Sequence, residues 1–283
     1  MKSAVFERQH GDLQTALSLL STALKSFPKF PKLYMIQGQI HQGLKNYNAA
    51  RASFSSGLKA CPKEPVLWIL ASRLEEADGK SIKARALLDK ARVVNVGVDT
   101  LWAEACALEE RAGGAAQAKS VLSRGLKECR NSGLLWSMAI WAEPRPSRKA
   151  RSADAIRACG NDPLLLCTVA RLLWAERKIE KAREWFKRAI SEAASKDMDV
   201  GDVWGWWLKF EREHGTTVRV YTLISSLVFT SLVAFVRVES LIRNWVFGII
   251  GTSRGSYQTM RCCCTAPFAC VAIHLKRPEE CGE

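Results

Sequence analysis

The chain has 283 residues, 48% of them hydrophobic, which is enough for one or two domains with a sizeable core. Its net charge of +14 suits either a polyanionic neighbour, such as RNA or an acidic protein, or solvated helix faces on which acids and bases are interspersed. The opening residues contain no apolar signal-peptide core, which argues against a secreted protein. The five single cysteines of residues 1–216 have no disulfide-like spacing, so they are expected to be buried, reduced thiols.

The first predicted elements form a repeat with a constant step of 34 residues. A leucine–aromatic dipeptide recurs at this step, and its aromatic members are Tyr34, Trp68, Trp102 and Trp136. Alanines recur at the same step in the segment that follows, each with an apolar residue four positions later: Ala16, Ala50, Ala84 and Ala118. The pattern predicts two helices in each unit, with a small residue where the helices approach each other.

A tight turn is expected between the first and second helix of a unit, because Gly79 and Gly113 lie eleven residues after the aromatic position. One such helix pair cannot bury both of its faces, whereas stacked pairs can. The sequence therefore predicts an all-α fold over residues 1–216, a right-handed α-solenoid of about six helix pairs, the last of them incomplete.

Later units keep the pattern with shifted spacing. Ala182, followed by Arg183 and Phe186, repeats the second-helix positions of the earlier units. Trp204 then opens a further first helix with the sequence GDVWGWWLKFEREHGT. The fourth unit, which precedes these two, is irregular, because prolines at positions 144 and 146 must break a helix there.

The irregular unit carries the densest basic segment, RPSRKARSADAIR. Its candidate contact residues are Arg145, Arg148, Lys149 and Arg151. One interpretation is a solvated loop between repeats. The other is a contact to RNA phosphates or to an acidic partner, since arginine binds either phosphate or carboxylate through two hydrogen bonds.

The sequence offers no motif for catalysis, a cofactor or a metal. It has no glycine-rich phosphate loop, its four histidines are dispersed, and the run CCCTAPFAC lacks paired C-x-x-C spacing. The acidic pairs that begin at Glu75 and Glu109 are separated by one repeat step, so they are expected to be structural acids that meet an arginine of a neighbouring helix. The tryptophans are expected to belong to the core rather than to a surface that stacks RNA bases.

The composition changes after residue 216, so two regions are predicted: a repeat array, 1–216, and a hydrophobic, cysteine-rich tail without repeats, 217–283. Residues 220–236 contain no charge, which is at the short limit for a membrane span. The tail is interpreted as a membrane span, as a hydrophobic segment that packs on the last repeat, or as translated sequence that is not normally coding. The third interpretation is favoured, because the change falls in the middle of a repeat.

The order of tryptophan, Leu-Glu, glycine and Ala-Arg resembles the half-a-TPR (HAT) repeat more than the tetratricopeptide repeat (TPR). A tetratricopeptide repeat would place glycine where Ser72 or Cys106 stands, and tyrosine where Glu75 or Glu109 stands. The segments WAEPRPSRKARSADAIRACGNDP, WAERKIEKAREWFKRAI and GDVWGWWLKFEREHGT then resemble the C-terminal part of the pre-mRNA-processing factor 6 family. This resemblance covers roughly residues 1–216.

The resemblance implies a nuclear, non-enzymatic scaffold of pre-mRNA splicing. It implies partners among the snRNP proteins of the tri-snRNP, with RNA contact through basic faces left open and no catalytic residues. Two alternatives remain: a HAT scaffold of mRNA 3′-end formation or ribosomal RNA processing, and a tetratricopeptide-type adaptor that residues 220–236 tether to a membrane.

Overall fold

The structure is a computed structural model that describes residues 11–196 and 201–215. These residues form twelve α-helices and no strand. The helices are α1 (Leu13–Ser26), α2 (Pro31–Gly43), α3 (Tyr47–Ala60), α4 (Pro65–Ala77), α5 (Ser81–Val94), α6 (Asp99–Arg111), α7 (Ala115–Glu128), α8 (Gly133–Ala142), α9 (Arg145–Cys159), α10 (Pro163–Ala175), α11 (Ile179–Ser195) and α12 (Gly201–His214). The tail, and with it the three interpretations of residues 217–283, lies outside the described residues.

Successive helices pack in pairs, and the pairs stack. The five complete pairs are α2 with α3, α4 with α5, α6 with α7, α8 with α9, and α10 with α11. Helix α1 packs on α2 as a preceding second helix does, and α12 packs on α10 and α11 as a further first helix. This architecture confirms the predicted α-solenoid, while the right-handed sense of the superhelix remains a prediction.

Small residues let the helices approach closely. The repeated alanines are almost completely buried: Ala16, Ala50, Ala84, Ala118 and Ala182. Two glycines on second helices serve the same purpose, because a Cβ atom on Gly57 would lie 2.8 Å from Cβ of Tyr34, and one on Gly125 would lie 3.0 Å from Cβ of Trp102. Each glycine therefore makes room for the aromatic residue of a first helix.

The repeated aromatic residues tie first helices to the turns that precede them. The indole N–H of Trp68 donates to the carbonyl of Pro62 at 2.8 Å, and Trp136 donates to Arg130 at the same distance. The hydroxyl of Tyr34 makes the equivalent bond to Pro28. Their burial differs: Trp68, Trp102 and Trp204 are buried, whereas Tyr34 and Trp136 are half-buried.

The turn inside a pair needs one residue with a left-handed backbone. Gly79 and Gly113 occupy this position with φ angles of 76° and 80°, as their spacing predicted. In the first and last complete pairs the same position is held by Lys45 and Arg177, with φ angles of 58° and 60°. A side chain in this conformation costs free energy, so these two turns are strained where the glycine turns are not.

The fourth pair corrects one expectation from the sequence. The prolines do break the helix, since α8 ends at Ala142 and α9 begins at Arg145. The interpretation of the basic segment as an inter-repeat loop is wrong, however, because it forms the second helix of this pair. Pro144 is the N-cap residue and Pro146 lies in the first turn, where a helix does not need the missing N–H group.

The thiols of the described region are reduced, but not all are buried. Cys106 and Cys167 are buried, whereas Cys61, Cys129 and Cys159 are partly exposed. Within the described ranges, no helix combines the length and the hydropathy that crossing a bilayer requires.

Candidate partner-binding grooves

Arginine–glutamate ion pairs join each of three second helices to the next first helix. Each arginine directly follows a repeated alanine, and its Nε lies 2.5–2.8 Å from a carboxylate oxygen. The pairs are Arg51–Glu75, Arg85–Glu109 and Arg183–Glu211. The repeated acids thus meet arginines of neighbouring helices, as their spacing predicted. Their negative charges are paired with these arginines inside the solenoid.

First helices are joined by a second set of ion pairs. Glu104 accepts hydrogen bonds from Arg73 and Arg111, and Arg111 also binds Glu76. Burial would raise the pKa of Glu104, but the hydrogen bonds from both arginines lower it. These acids therefore stabilise the packing of the repeats. Among the described residues, no three histidine, cysteine or acidic side chains come together as a metal site requires.

A basic groove of about 470 Å³ lies along the start of α9, the end of α10 and the start of α11. Its charged lining comprises five basic residues and one acid: Arg145, Arg148, Lys149, Lys178, Lys181 and Glu176. Its apolar lining comprises Trp141, Val169, Leu172, Leu173 and Ala175. The excess of cations makes this groove a candidate site for an anionic partner.

The four residues chosen from the sequence differ in their availability. Arg145 and Lys149 are exposed in the basic groove and make no ion pair with a described carboxylate. Arg148 instead donates to the backbone carbonyls of Glu143 and Trp141 at the end of α8, and its guanidinium lies 4.9 Å from the centroid of the Trp141 ring. Arg151 lies against the ring of Trp136, and its Nε is buried without a hydrogen bond. Two of the four are therefore free to bind a partner.

Two basic residues of the groove were missed by the sequence reasoning. Lys178 and Lys181 come from the following unit, and their spacing of three residues at the start of a second helix was the available signal. Lys178 is paired with Glu176 at 2.6 Å, and this hydrogen bond, with the nearby charge of Lys149, lowers the pKa of Glu176. Lys181 has no acidic partner in the described region, so it joins Arg145 and Lys149 as an available cation.

A chain of alternating cations and aromatic rings runs from the basic groove into a second groove. Its members, in order, are Arg148, Trp141, Arg171, Trp206 and Lys209. The guanidinium of Arg171 lies 4.7 Å from the Trp141 centroid and 3.6 Å from the Trp206 centroid. Desolvation by burial lowers the pKa of Arg171. Stacking on both rings fixes the guanidinium in place.

This second groove, called the Arg171 groove, has a volume of about 490 Å³ and lies mainly among the first helices α8, α10 and α12. Its apolar lining includes Leu134, Met138 and Leu164. Its charged lining comprises Arg171, Glu110 and Asp202. The two grooves share Trp141 and differ in charge, since the basic groove has five cations and one acid and the Arg171 groove has one cation and two acids.

Comparison with protein families matches residues 7–65 to the tetratricopeptide repeat. The matched region includes the one complete pair with glycine four residues after its aromatic residue, Gly38 after Tyr34, as that repeat requires. A Cβ atom on Gly38 would collide with the ring of Phe54, so the close approach explains the glycine. The next two pairs have Ser72 and Cys106 at this position and carry the HAT-like acids.

Among curated proteins, pre-mRNA-processing factor 6 of Pongo abelii is 48% identical over 75 residues, which are 26% of this chain and 8% of that protein. Pre-mRNA-splicing factor prp1 of Schizosaccharomyces pombe is 48% identical over 68 residues, 24% of this chain and 7% of its own length. The chain therefore matches less than a tenth of these relatives, and the matched stretch is much shorter than the expected resemblance over the whole repeat array.

Among solved structures, a tetratricopeptide repeat protein from Parabacteroides merdae is 17% identical, with a TM-score of 0.43, over 67% of this chain and 75% of that one. Taken together, the stacked helix pairs make the described chain an α-solenoid, residues 7–65 are similar to the tetratricopeptide repeat, and a stretch of 75 residues is similar to pre-mRNA-processing factor 6.

Proposed function

We propose that the chain is a non-enzymatic scaffold of pre-mRNA splicing, which acts in the nucleus and bridges snRNP proteins during assembly of the tri-snRNP. The observation that carries this proposal is the 48% identity to pre-mRNA-processing and splicing factors. The stacked helix pairs support it, because a solenoid presents extended surfaces to several partners.

The basic groove is the proposed contact surface of this scaffold. Arg145, Lys149 and Lys181 lie around one groove without acidic partners among the described residues, whereas Arg51 and Arg85 are paired within the solenoid. The apolar lining favours an acidic protein segment over RNA. The ring of Trp141, the aromatic residue of the lining, is already contacted by Arg148 and Arg171, so it is poorly placed to stack a base.

The experiment compares two triple charge reversals in the full-length chain, purified from nuclear extract with its bound proteins. The first variant changes Arg145, Lys149 and Lys181 to glutamate. The control changes Lys83, Lys90 and Lys119, which are also exposed and have no acidic partner in the described region. Lys83 and Lys181 precede equivalent alanines, so one of the three control positions is matched by repeat position, and the change in net charge is the same. Arg148 is left unchanged, because it donates to backbone carbonyls at the end of α8.

The wild-type chain and the control are expected to co-purify with tri-snRNP proteins, and the groove variant is expected to lose most of them. Binding of the wild-type chain should weaken as salt rises. Recovery of 3′-end-processing or ribosomal RNA-processing factors in place of snRNP proteins would instead favour an alternative scaffold. Equal recovery with both variants would show that the basic groove is not the contact surface. Loss of binding after ribonuclease treatment would identify RNA as the ligand.

A further inference from the structure

Arg171 is positioned as a receptor for an anion. Its guanidinium is held by the rings of Trp141 and Trp206, yet it makes no hydrogen bond or ion pair with a described residue. The Arg171 side chain is half-buried and forms part of the lining of the groove. A guanidinium fixed by stacking, with its N–H groups accessible, can bind a carboxylate through two hydrogen bonds.

The acids of the same groove restrict which anion can bind. Glu110 and Asp202 are exposed, line the groove with Arg171, and form no ion pair with a described residue. Their negative charge disfavours a phosphate group or a strongly acidic ligand, and it favours a cation next to the bound carboxylate. The apolar surface of Leu134, Met138 and Leu164 adds a place for a hydrophobic side chain.

We infer that the Arg171 groove binds a protein segment in which an acidic residue is flanked by a basic residue and an apolar residue. The acidic side chain binds Arg171, the basic side chain lies near Asp202 or Glu110, and the apolar side chain packs on the groove wall. The one acid of the basic groove, Glu176, is already paired with Lys178, so the two grooves select different ligands. This inference does not depend on a role in splicing.

The test uses immobilised seven-residue peptides composed of glutamate, lysine, leucine and serine, probed with the full-length chain. Peptides with glutamate within a few positions of both lysine and leucine should be enriched over all-acidic and all-basic peptides. Arg171→Gln should lower the affinity for these peptides at least about tenfold, because a charged hydrogen-bonding group is lost. Arg212→Gln is the matched control, because Arg212 is exposed outside the groove and the change in net charge is the same.

A second variant keeps the inference falsifiable if Arg171→Gln unfolds the chain. Asp202→Asn removes a groove acid, so the enriched peptides should shift towards a larger number of glutamates and a smaller number of lysines. The inference is overturned if no peptide class is enriched, if the enriched peptides carry charge of one sign only, if Arg171→Gln folds and retains the affinity, or if Asp202→Asn leaves the selection unchanged. If the wild-type chain selects these peptides but recovers no snRNP proteins, the proposed function alone is contradicted.

Discussion

Arg183 donates from Nε to the carboxylate of Glu211 at 2.7 Å, and the two side chains are only 8% and 2% exposed. Glu211 also lies within reach of the indole N–H of Trp207, and Arg183 makes further bonds to Glu180 and the carbonyl of His214. This ion pair joins α11 to α12 at the end of the described solenoid. Its burial distinguishes it from the equivalent pair Arg85–Glu109, in which the arginine is 39% exposed.

Removal of one partner from the buried pair should be strongly destabilising. Glu211→Ala leaves the Arg183 charge buried without its main partner, so we expect the free energy of unfolding to fall by about 3–5 kcal/mol. Glu109→Ala at the equivalent position should cost much less, because water screens the more exposed arginine. Urea unfolding of both full-length variants measures the difference. Equal losses would show that burial does not determine the contribution of these ion pairs.

Lys45 and Gly79 occupy the equivalent left-handed position in the turns of neighbouring repeats, so substitutions there should change stability in opposite directions. Lys45→Gly should stabilise the chain by about 0.5–1 kcal/mol, because the left-handed conformation costs a lysine more free energy than the added flexibility of glycine costs on folding. Gly79→Ala should destabilise it by a similar amount, because alanine has a Cβ atom in the same conformation. Thermal unfolding of the two variants checks the signs. A Lys45→Gly variant that is less stable than wild type would contradict this explanation of the repeat glycines.

The repeated tryptophans should contribute unequally to stability. Trp102 is buried, packs against Gly125 and lies 4.2 Å below the guanidinium of Arg92, so Trp102→Ala should cost about 3–5 kcal/mol. Trp136→Ala should cost less, because Trp136 is half-buried. Chemical denaturation followed by far-ultraviolet circular dichroism gives both values without relying on tryptophan fluorescence. A smaller loss for Trp102 than for Trp136 would reverse the expected order.

The sequence was sufficient to predict the solenoid because its constraints are periodic. A fixed step placed the alanines, the turn glycines and the acids that meet Arg51 and Arg85, and each pair packs only on its neighbours. The sequence did not reveal that α9 is a helix, because two prolines normally indicate a break. Both prolines lie at the start of α9, where a helix tolerates proline. Helix propensity alone does not locate this start.

The grooves were harder to predict than the fold. Lys181 joins Arg145 only through the packing of α9, α10 and α11, and the two residues have no fixed spacing in the repeat. Trp141 and Trp206 likewise occupy unrelated positions, so nothing in the sequence places Arg171 between them. Periodicity predicts contacts that every repeat makes. It does not predict contacts made in one repeat alone, and the candidate binding surfaces depend on the latter.

The buried thiols predict a loss of stability at alkaline pH. Desolvation by burial raises the pKa of the Cys106 thiol to about 11 and that of the Cys167 thiol to about 12, from the ordinary value of 9.0. Each folded-state pKa is higher than the unfolded-state value, so the stabilisation is complete below pH 9. It is lost as the pH rises above 9, because the unfolded chain then releases the proton and the folded chain does not.

One such thiol should lower the free energy of unfolding by about 1.4 kcal/mol for each pH unit between the two pKa values. Cys167→Ser removes a titrating group, so its free energy of unfolding should fall less than that of wild type between pH 7.5 and pH 10. Urea unfolding at both pH values gives this difference, and the contributions of lysines and tyrosines cancel because both proteins share them. A Cys167→Ser variant with the same pH dependence as wild type would show that Cys167 ionises as readily in the folded chain as in the unfolded chain.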